Sequence, residues 1–234
     1  ESGDGGWTTD ADPTTTAGFW ERAVPVGTVN GGIEFAPSED ATVKGTQCWV
    51  TQNGQPGGSA GAADVDNGAV RLTSPPFDLS DGDAVIEFKW WVVNDDFGTA
   101  TEDVLAVEIS NGGDWTTVMA ISSGTPGWND AAFNVGDYVE PSSTVRVRFT
   151  ASDNPNNSLM ECAVDDLLVS RVECVSAPGC PEDLNGDGGV TGADLGLLLA
   201  AWGTPAGDLN GDGDTNGADI GLLLAAFALH VVGF

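Results

Sequence analysis

Short runs in which apolar and polar residues alternate dominate residues 1–173 and predict β-strands. The clearest runs place an apolar side chain at every second position, as in residues 86–92, 105–109 and 145–149. Residues 111–114 have the composition of a turn, so residues 115–119 are expected to return as the second strand of a hairpin. Clusters of Gly, Asn, Asp and Pro separate the runs, and residues 164–172 form the expected last strand. The pattern predicts a β-sandwich or barrel.

Two long segments interrupt this alternation. Residues 27–47 and 52–70 are rich in Gly, Asp, Ser and Thr and show no clean period. We therefore expect them to be extended loops at one end of the sandwich. Loops of this length are usually functional or held by a ligand. Residues 174–181 include Pro178 and Pro181 and break both strand and helix periodicity, so they are expected to be a linker.

An internal repeat follows the linker. Residues 183–202 read DLNGDGGVTGADLGLLLAAW, and 25 positions later residues 208–227 read DLNGDGDTNGADIGLLLAAF. The leucine-rich second half of each copy predicts a short helix. We therefore expect a second domain over residues 182–229, followed by a hydrophobic tail at residues 230–234. The tail and the end of the helix before it either pack on their own domain or add a strand to a neighbouring molecule.

The first half of each repeat has the ligand spacing of a calcium loop. Calcium takes about six to eight oxygen ligands, and EF-hand loops supply them from loop positions 1, 3, 5, 7, 9 and 12, with Gly at position 6 for a sharp turn. The first loop would use Asp183, Asn185, Asp187, the carbonyl of Gly189, Thr191 and Asp194. The second would use Asp208, Asn210, Asp212, the carbonyl of Asp214, Asn216 and Asp219. Gly188 and Gly213 occupy position 6.

The charge of the chain supports a cation as ligand. Only 7 Lys and Arg residues oppose 36 Asp and Glu residues, which gives a formal net charge of -29. Such a surface repels phosphate backbones, so nucleic acid is not an expected partner. No stretch is long and apolar enough to predict insertion into a membrane. The alternative for acids outside the loops is plain solvation.

A loop followed by one helix, present twice, resembles the dockerin type I family over nearly all of residues 182–228. Position 12 is Asp where EF-hands have Glu, and Thr215 replaces the usual apolar residue at position 8. The resemblance implies a module that folds on two calcium ions and docks through its helices onto a cohesin-type receptor. Loop positions 10 and 11 help to set receptor choice in that family, and they are identical in the two copies: Gly192 with Ala193, and Gly217 with Ala218.

The first domain resembles the jelly-roll accessory domains of secreted bacterial proteins, akin to MAM and carbohydrate-binding sandwiches. The resemblance rests on five runs of sequence: FWER at residues 19–22, QCWVT at 47–51, DVD at 64–66, LTSPPFDLS at 72–80 and AVDDL at 163–167. It implies a structural calcium ion between a loop and the last strand. The candidate ligands are Asp64, Asp66, Glu161, Asp165 and Asp166, with solvated or capping carboxylates as the alternative.

The chain begins at Glu1 without a basic and apolar leader, and we interpret it as the mature form of a secreted protein. Secretion permits disulfides. Cys174 and Cys180 are close in sequence and are expected to pair, which leaves Cys48 with Cys162. The alternative for Cys48 and Cys162 is two buried free thiols.

Enzymatic activity is not expected, because the single histidine, His230, lies in the tail and no carboxylate pair stands out. The leading hypothesis is an extracellular structural or adhesive protein that assembles through its dockerin-like module, with a cohesin-like receptor or copies of itself as partner. The alternative is a carbohydrate-binding protein anchored by that module. Alternation leaves Trp91, Trp128 and Trp7 as the candidates for stacking on a polysaccharide, but for each of them packing in the core or under a loop is the favoured interpretation.

Overall fold

A computed structural model describes residues 5–95, 103–122, 126–154, 158–171, 181–187 and 189–229. The Cα positions divide the chain into two compact units, Glu1–Ser170 and Arg171–Phe234. We call them the sandwich unit and the helical unit. The expected disulfide of Cys174 with Cys180, most of the linker and the tail at 230–234 lie outside the described residues.

The described residues of the sandwich unit contain twelve β-strands and two short 3-10 helices, Ala60–Ala62 and Val135–Asp137. The strands are β1 (Thr8–Ala11), β2 (Trp20–Ala23), β3 (Val29–Asn30), β4 (Ile33–Glu34), β5 (Cys48–Thr51), β6 (Gly68–Thr73), β7 (Ala84–Asn94), β8 (Val104–Ser110), β9 (Thr116–Ile121), β10 (Asn129–Asn134), β11 (Arg146–Asp153) and β12 (Met160–Arg171).

Two five-stranded sheets make up the sandwich. Sheet A has the strand order β1-β6-β11-β8-β9, sheet B has the order β10-β7-β12-β5-β2, and β3 and β4 form a separate hairpin. The inward side chains of the two sheets meet in one core, where the rings of Phe88 and Phe149 lie 5.1 Å apart. The β-sandwich expected from the alternation is therefore confirmed, and so is the hairpin of β8 with β9.

Alternation explains why these residues form the core. Leu105, Val107 and Ile109 of β8 are fully buried, and Ala106 and Glu108 between them are not. Full burial of one such side chain contributes about 1.5–3 kcal/mol. The same rule positions Val147 and Phe149 of β11.

The sequence predicted that the two long segments, residues 27–47 and 52–70, extend from one end of the sandwich, and this prediction is wrong. They cover the outer face of sheet B, because Phe35 and Ala60 pack there in a second apolar cluster. That cluster also contains outward side chains of three strands of sheet B, namely Cys48, Val50, Trp91, Val93 and Ala163. Sheet B therefore has apolar contacts on both faces.

The second cluster buries one of the candidate tryptophans. Trp91 is buried, and its Nε1 donates a 2.6 Å hydrogen bond to the carbonyl oxygen of Phe35. Trp90, on the inward face of β7, is only partly buried against the main core. Counting alternate residues assigned the two faces of β7 correctly but could not show that both faces are covered.

The expected disulfide between Cys48 and Cys162 is absent, and both residues are buried free thiols. Ala163 lies opposite Val50 in the antiparallel pairing of β12 with β5, so Cys48 and Cys162 project from opposite faces of sheet B. Cys162 belongs to the main core and Cys48 to the second cluster. Elimination among four cysteines could not reveal this.

Two helices follow the two loops of the helical unit, α1 (Gly192–Ala200) and α2 (Gly217–Leu229). Their buried core is formed by Val190, Leu198 and Leu223, and Leu198 and Leu223 hold the same position in the two repeats. Among the described residues, no helix is long and apolar enough to cross a membrane.

Candidate metal sites

Asp194, at position 12 of the first loop, is fully buried at the start of α1. Its Oδ1 accepts the N–H of Asn185 at 3.1 Å, and its Oδ2 accepts the N–H of Thr191 at 2.7 Å. The hydroxyl of Thr191 in turn caps the helix by accepting the N–H of Ala193. A single carboxylate thus fixes both the loop and the helix that follows it.

Asp219 does the same in the second loop. It is also fully buried. Its Oδ1 accepts the N–H groups of Leu209 at 2.8 Å and Asn210 at 3.2 Å, and its Oδ2 accepts the N–H of Asn216 at 2.8 Å. The two copies therefore share one backbone arrangement around the residue at position 12.

Positions 1, 3 and 5 of both loops turn the chain in the same way. At each position a side-chain oxygen accepts a backbone N–H from two or three residues further along, at 2.7–3.0 Å. The acceptors are Asp183, Asn185 and Asp187 in the first loop, and Asp208, Asn210 and Asp212 in the second. At position 6, Gly213 has a φ of 96°, which favours glycine, whereas Gly188 lies outside the described residues.

The remaining loop positions contribute hydroxyl, amide and carbonyl oxygens. At position 9, the hydroxyl of Thr191 lies 3.1 Å from Asp194, and the amide of Asn216 donates to the carbonyl of Asp214 at 3.1 Å. Gly189 supplies position 7 of the first loop. Every expected donor in the two loops is an oxygen, which is the donor set that calcium prefers.

Three of the loop carboxylates have a lowered pKa, which favours the ionised form that a cation needs. Burial tends to raise the pKa of Asp194, but hydrogen bonds from Thr191 and Asn185 outweigh burial and lower it. The backbone N–H of Asn216 donates to Asp219 and lowers its pKa, and the side chain of Asn210 lowers the pKa of Asp212. Among the described residues, however, no three acidic, histidine or cysteine side chains converge into a ready metal cage. A cation would have to draw each set of carboxylates together.

Thr215 shows why position 8 of the second loop is not apolar. This residue is fully buried, and its hydroxyl donates to the carbonyl of Thr204 at 2.6 Å and accepts the N–H of Gly207 at 2.9 Å. Its backbone N–H also donates to Thr204 at 2.8 Å. The hydroxyl thus ties the connection between the repeats to the second loop. The sequence marked Thr215 only as a departure from the family pattern.

The residues expected to set receptor choice are exposed. Gly192 and Ala193 begin α1, and Gly217 and Ala218 begin α2. The same helices expose apolar side chains at corresponding positions of the repeats, with exposed fractions between 39% and 51%. These side chains are Leu197, Leu199, Leu222 and Leu224. We call this set the helix leucines.

The five acids proposed for a calcium site in the sandwich separate into two places. Glu161 and Asp64 are buried, and the charge of Asp64 contributes to raising the pKa of Glu161. Asp66 lies close enough to Asp64 to raise its pKa. Asp165 and Asp166 instead bind the segment at residues 41–42. The resemblance grouped all five acids, and strand position separates them.

Asp165 and Asp166 hold one wall of a cavity. The N–H of Ala41 donates to Asp165 at 3.0 Å, and the hydroxyl of Thr42 donates to Asp166 at 2.6 Å. Asp166 has a φ of 50°, unusual for a residue other than glycine. The cavity has a volume of about 490 Å³, and its lining includes Val24, Ser38, Glu39, Thr42 and Thr46.

The sandwich tryptophans form no exposed platform among the described residues. Trp20 and Trp91 are buried, and Trp7 and Trp128 are only partly exposed. The Nε1 of Trp128 donates to the carbonyl of Glu39 at 3.1 Å, and its ring lies edge-on to that of Trp91. Trp91, one of the three candidates for stacking, is therefore packed, which is the interpretation that the sequence favoured for each of them.

No family model matches the chain, and no curated protein matches it. Among solved structures, it is similar to a carbohydrate-binding module of the β-sandwich superfamily, with 13% identity and a TM-score of 0.45 over 72% of this chain and 58% of that one. It is similar to the K3 cleaved adhesin domain of Lys-gingipain from Porphyromonas gingivalis, with 14% identity and a TM-score of 0.42 over 71% of this chain and 92% of that one.

A family 11 carbohydrate-binding module from Clostridium thermocellum, in complex with a mixed-linked tetrasaccharide, is 10% identical with a TM-score of 0.40, over 72% of this chain and 91% of that one. The chain thus spans less than two thirds of the first of these structures and most of the other two. At these identities and TM-scores, the function has to be argued from the chain's own residues.

Proposed function

We propose that this chain is a non-catalytic, secreted protein that binds two calcium ions in its helical unit and attaches through that unit to a partner. The observation that carries the proposal is the repetition itself. Two loops with oxygen donors at the same positions precede two helices with leucines exposed at the same positions. A dockerin-like module would have these features.

Calcium fits the donors better than other common metals. The loops offer carboxylate, amide, hydroxyl and carbonyl oxygens, whereas sites for zinc or copper use histidine or cysteine. Without an ion, three carboxylates per loop repel one another, and an ion would remove this repulsion. The proposed extracellular location would supply calcium at the concentration that such sites need.

The helix leucines are the side chains that we propose contact the partner. Four large apolar side chains on one small unit are exposed to water, which is unfavourable. A partner that covers them would bury this apolar surface, and binding is therefore favoured. The glycine and alanine pairs at the helix starts would allow a close approach of the partner. Their identity in the two repeats permits two binding orientations. The partner we propose is a cohesin-type receptor. A second copy of the chain is the alternative partner, and the sedimentation experiment below tests both.

Calorimetric titration with calcium chloride tests the metal sites. We expect saturable binding at the loops, with one ion lost in Asp194→Ala and another in Asp219→Ala. Asp114→Ala, which changes a carboxylate in the turn between β8 and β9, is the control and should leave binding unchanged. Wild-type calcium binding that persists in the double variant Asp194→Ala with Asp219→Ala would refute the assignment of these loops.

Sedimentation velocity, with and without a panel of cohesin modules, tests docking. We expect a calcium-dependent complex that is lost in the double variant Leu197→Glu with Leu222→Glu. Leu168→Glu changes an exposed leucine of β12 and is the matched control. A chain that stays monomeric and binds no module in calcium would rule out the attachment role.

A second candidate function, glycan binding by the sandwich unit, is supported by the cavity beside Asp165. Serine and threonine residues and two acidic residues, Glu39 and Asp40, line it together with Val24, and such a mixture suits a sugar with polar edges and an apolar face. A glycan array tests this function. Binding that Thr42→Val weakens would support it, and the absence of any bound glycan would remove it.

A further inference from the structure

An asparagine side chain reacts with its own backbone most readily where glycine follows it. Glycine has no side chain to shield its amide nitrogen, so that nitrogen can reach the side-chain carbonyl carbon of the asparagine before it. The sequence contains seven Asn-Gly dipeptides, which begin at Asn30, Asn53, Asn67, Asn111, Asn185, Asn210 and Asn216. The seven are chemically alike, so only the folded structure can distinguish them.

The three dipeptides in the loops of the helical unit are restrained by hydrogen bonds. The side-chain oxygens of Asn185, Asn210 and Asn216 each accept a backbone N–H from two residues further along, at 2.8–2.9 Å. The N–H groups of Gly186 and Gly211, which would have to attack, are also bound, at 2.8 and 2.7 Å. The turns of these loops therefore oppose the reaction.

Two of the four dipeptides in the sandwich unit are restrained as well. The side-chain oxygen of Asn53 accepts the N–H of Val26 at 2.7 Å, and its Nδ2 donates to the carbonyl of Val24 at 2.7 Å. The Nδ2 of Asn67 donates to the hydroxyl of Thr16 at 2.9 Å. Rotation of either side chain towards the next residue would break these bonds, and each of them contributes free energy.

Asn111 and Asn30 form the closest comparison, because each lies at the turn of a β-hairpin. The Nδ2 of Asn111 donates to the carbonyl of Glu140 at 3.2 Å. The N–H of Gly112 donates to the hydroxyl of Ser110 at 3.1 Å. In this turn, both the side-chain amide and the nitrogen that would attack it are held.

Asn30 has neither restraint. It is exposed at the end of β3, and its side chain forms no hydrogen bond among the described residues. Gly31 and Gly32 form a two-residue turn with φ values of 58° and 86°, and a Cβ on either glycine would meet open space. Such a turn uses the carbonyl of Asn30 and the N–H of Ile33. No described residue accepts the N–H of Gly31.

We propose that Asn30 is a site of spontaneous deamidation. The amide nitrogen of Gly31 attacks the side-chain carbonyl carbon of Asn30, its proton passes to the side-chain amide, and ammonia leaves as a cyclic imide closes. Water then opens the ring at one of its two carbonyl carbons and yields aspartate or isoaspartate. Water is the only co-reactant. The site does not depend on the function proposed for the helical unit.

The reaction changes the charge and the backbone at the tip of the hairpin. Both products carry one additional negative charge, and isoaspartate places one more carbon in the main chain before Gly31. The base of the hairpin is anchored separately at Thr28. Its carbonyl accepts the N–H of Phe35 at 2.9 Å, and its hydroxyl accepts the N–H of Ala36 at 3.1 Å. The modified chain should therefore keep the fold of the sandwich unit.

Peptide mass spectrometry of the full chain, stored folded at mildly alkaline pH, tests the proposal. We expect the mass increase of deamidation to appear at Asn30 roughly tenfold faster than at the other six dipeptides, because hydrogen bonds that must break raise the barrier. The same chain unfolded in guanidinium chloride is the control, and there all seven should react at similar rates. A folded chain that is unmodified at Asn30, or equally modified at all seven, would overturn the proposal.

Two variants separate the effect of the hydrogen bonds from that of the sequence. Asn30→Ser removes the reactive amide and should abolish the early mass increase. Ser110→Ala frees the N–H of Gly112 and should accelerate deamidation at Asn111, with the rate at Asn30 unchanged. An unchanged rate at Asn111 in this variant would remove the basis for singling out Asn30. If Ser110→Ala fails to fold, Gly31→Ala replaces it, because a side chain there shields the attacking nitrogen and should slow the reaction at Asn30.

Discussion

Single residues set the local geometry on which the candidate sites depend. Gly18 has a φ of 77° and allows the chain to pass against Asp64 and Val65. Thr215 replaces an apolar side chain and forms two hydrogen bonds with its hydroxyl. Gly18 contacts a segment distant in sequence, and Thr215 bonds to the connection between the two repeats. Their roles therefore become visible only in the folded chain.

Gly18→Ala should destabilise the sandwich unit strongly. Gly57 has a φ of 76° with open space around it, so Gly57→Ala isolates the backbone strain of about 1–2 kcal/mol. Gly18→Ala adds a clash with backbone atoms to the same strain. Urea unfolding of the two variants provides the comparison. Equal losses of stability would show that the close approach of Gly18 to Val65 does not matter.

At the scale of elements, a cross-strand ion pair joins β8 to β11. Arg148 donates two hydrogen bonds to Glu108, at 2.8 and 2.7 Å, and Thr150 donates a third to the same carboxylate. The guanidinium of Arg148 also lies 4.1 Å from the ring centroid of Trp115. The pair spans two neighbouring strands of sheet A and fixes their register on the outer face.

This pair predicts a loss of stability in acid. Burial tends to raise the pKa of Glu108, but the hydrogen bonds from Arg148 and Thr150 outweigh burial and lower it below 4.5. A carboxylate with a lowered pKa stabilises the fold above its unfolded pKa, and this stabilisation is lost as the pH falls through the folded value. Glu108→Gln should cost about 1.5 kcal/mol at pH 7 and less at pH 3.

Urea unfolding of wild type and Glu108→Gln at pH 7, 5 and 3 measures the difference. Glu87→Gln removes an exposed carboxylate of β7 and is the control. A gap between wild type and Glu108→Gln that stays constant across this range would contradict the role assigned to the ion pair.

At the scale of the whole molecule, the two units have separate cores. The helical unit buries few large side chains, so the proposed calcium ions would supply much of its stability. The sandwich unit has an extensive core of its own and does not depend on the loops. The two units should therefore respond differently to the removal of calcium.

Addition of a chelator should abolish most of the helical signal in circular dichroism and leave the signal of the sheets. Calorimetry should show two transitions in calcium and one in chelator, with Asp219→Ala lowering only the transition of the helical unit. A single transition that includes both units in calcium would contradict their independence.

The sequence alone determined features that depend on neighbours close along the chain. Alternation predicted β8 and β11, and the repeat predicted α1 and α2 and the turns of both loops, because strand faces, helix turns and loop turns are set within about a dozen residues. Only the tertiary structure decided which distant residues meet. Thr28 and Glu161 are 133 positions apart, and the order of strands brings them together. The register of β12 on β5 separated Cys48 from Cys162, and the segment that contains Phe35 covered Trp91, because which face of a sheet is buried depends on the segments packed against it.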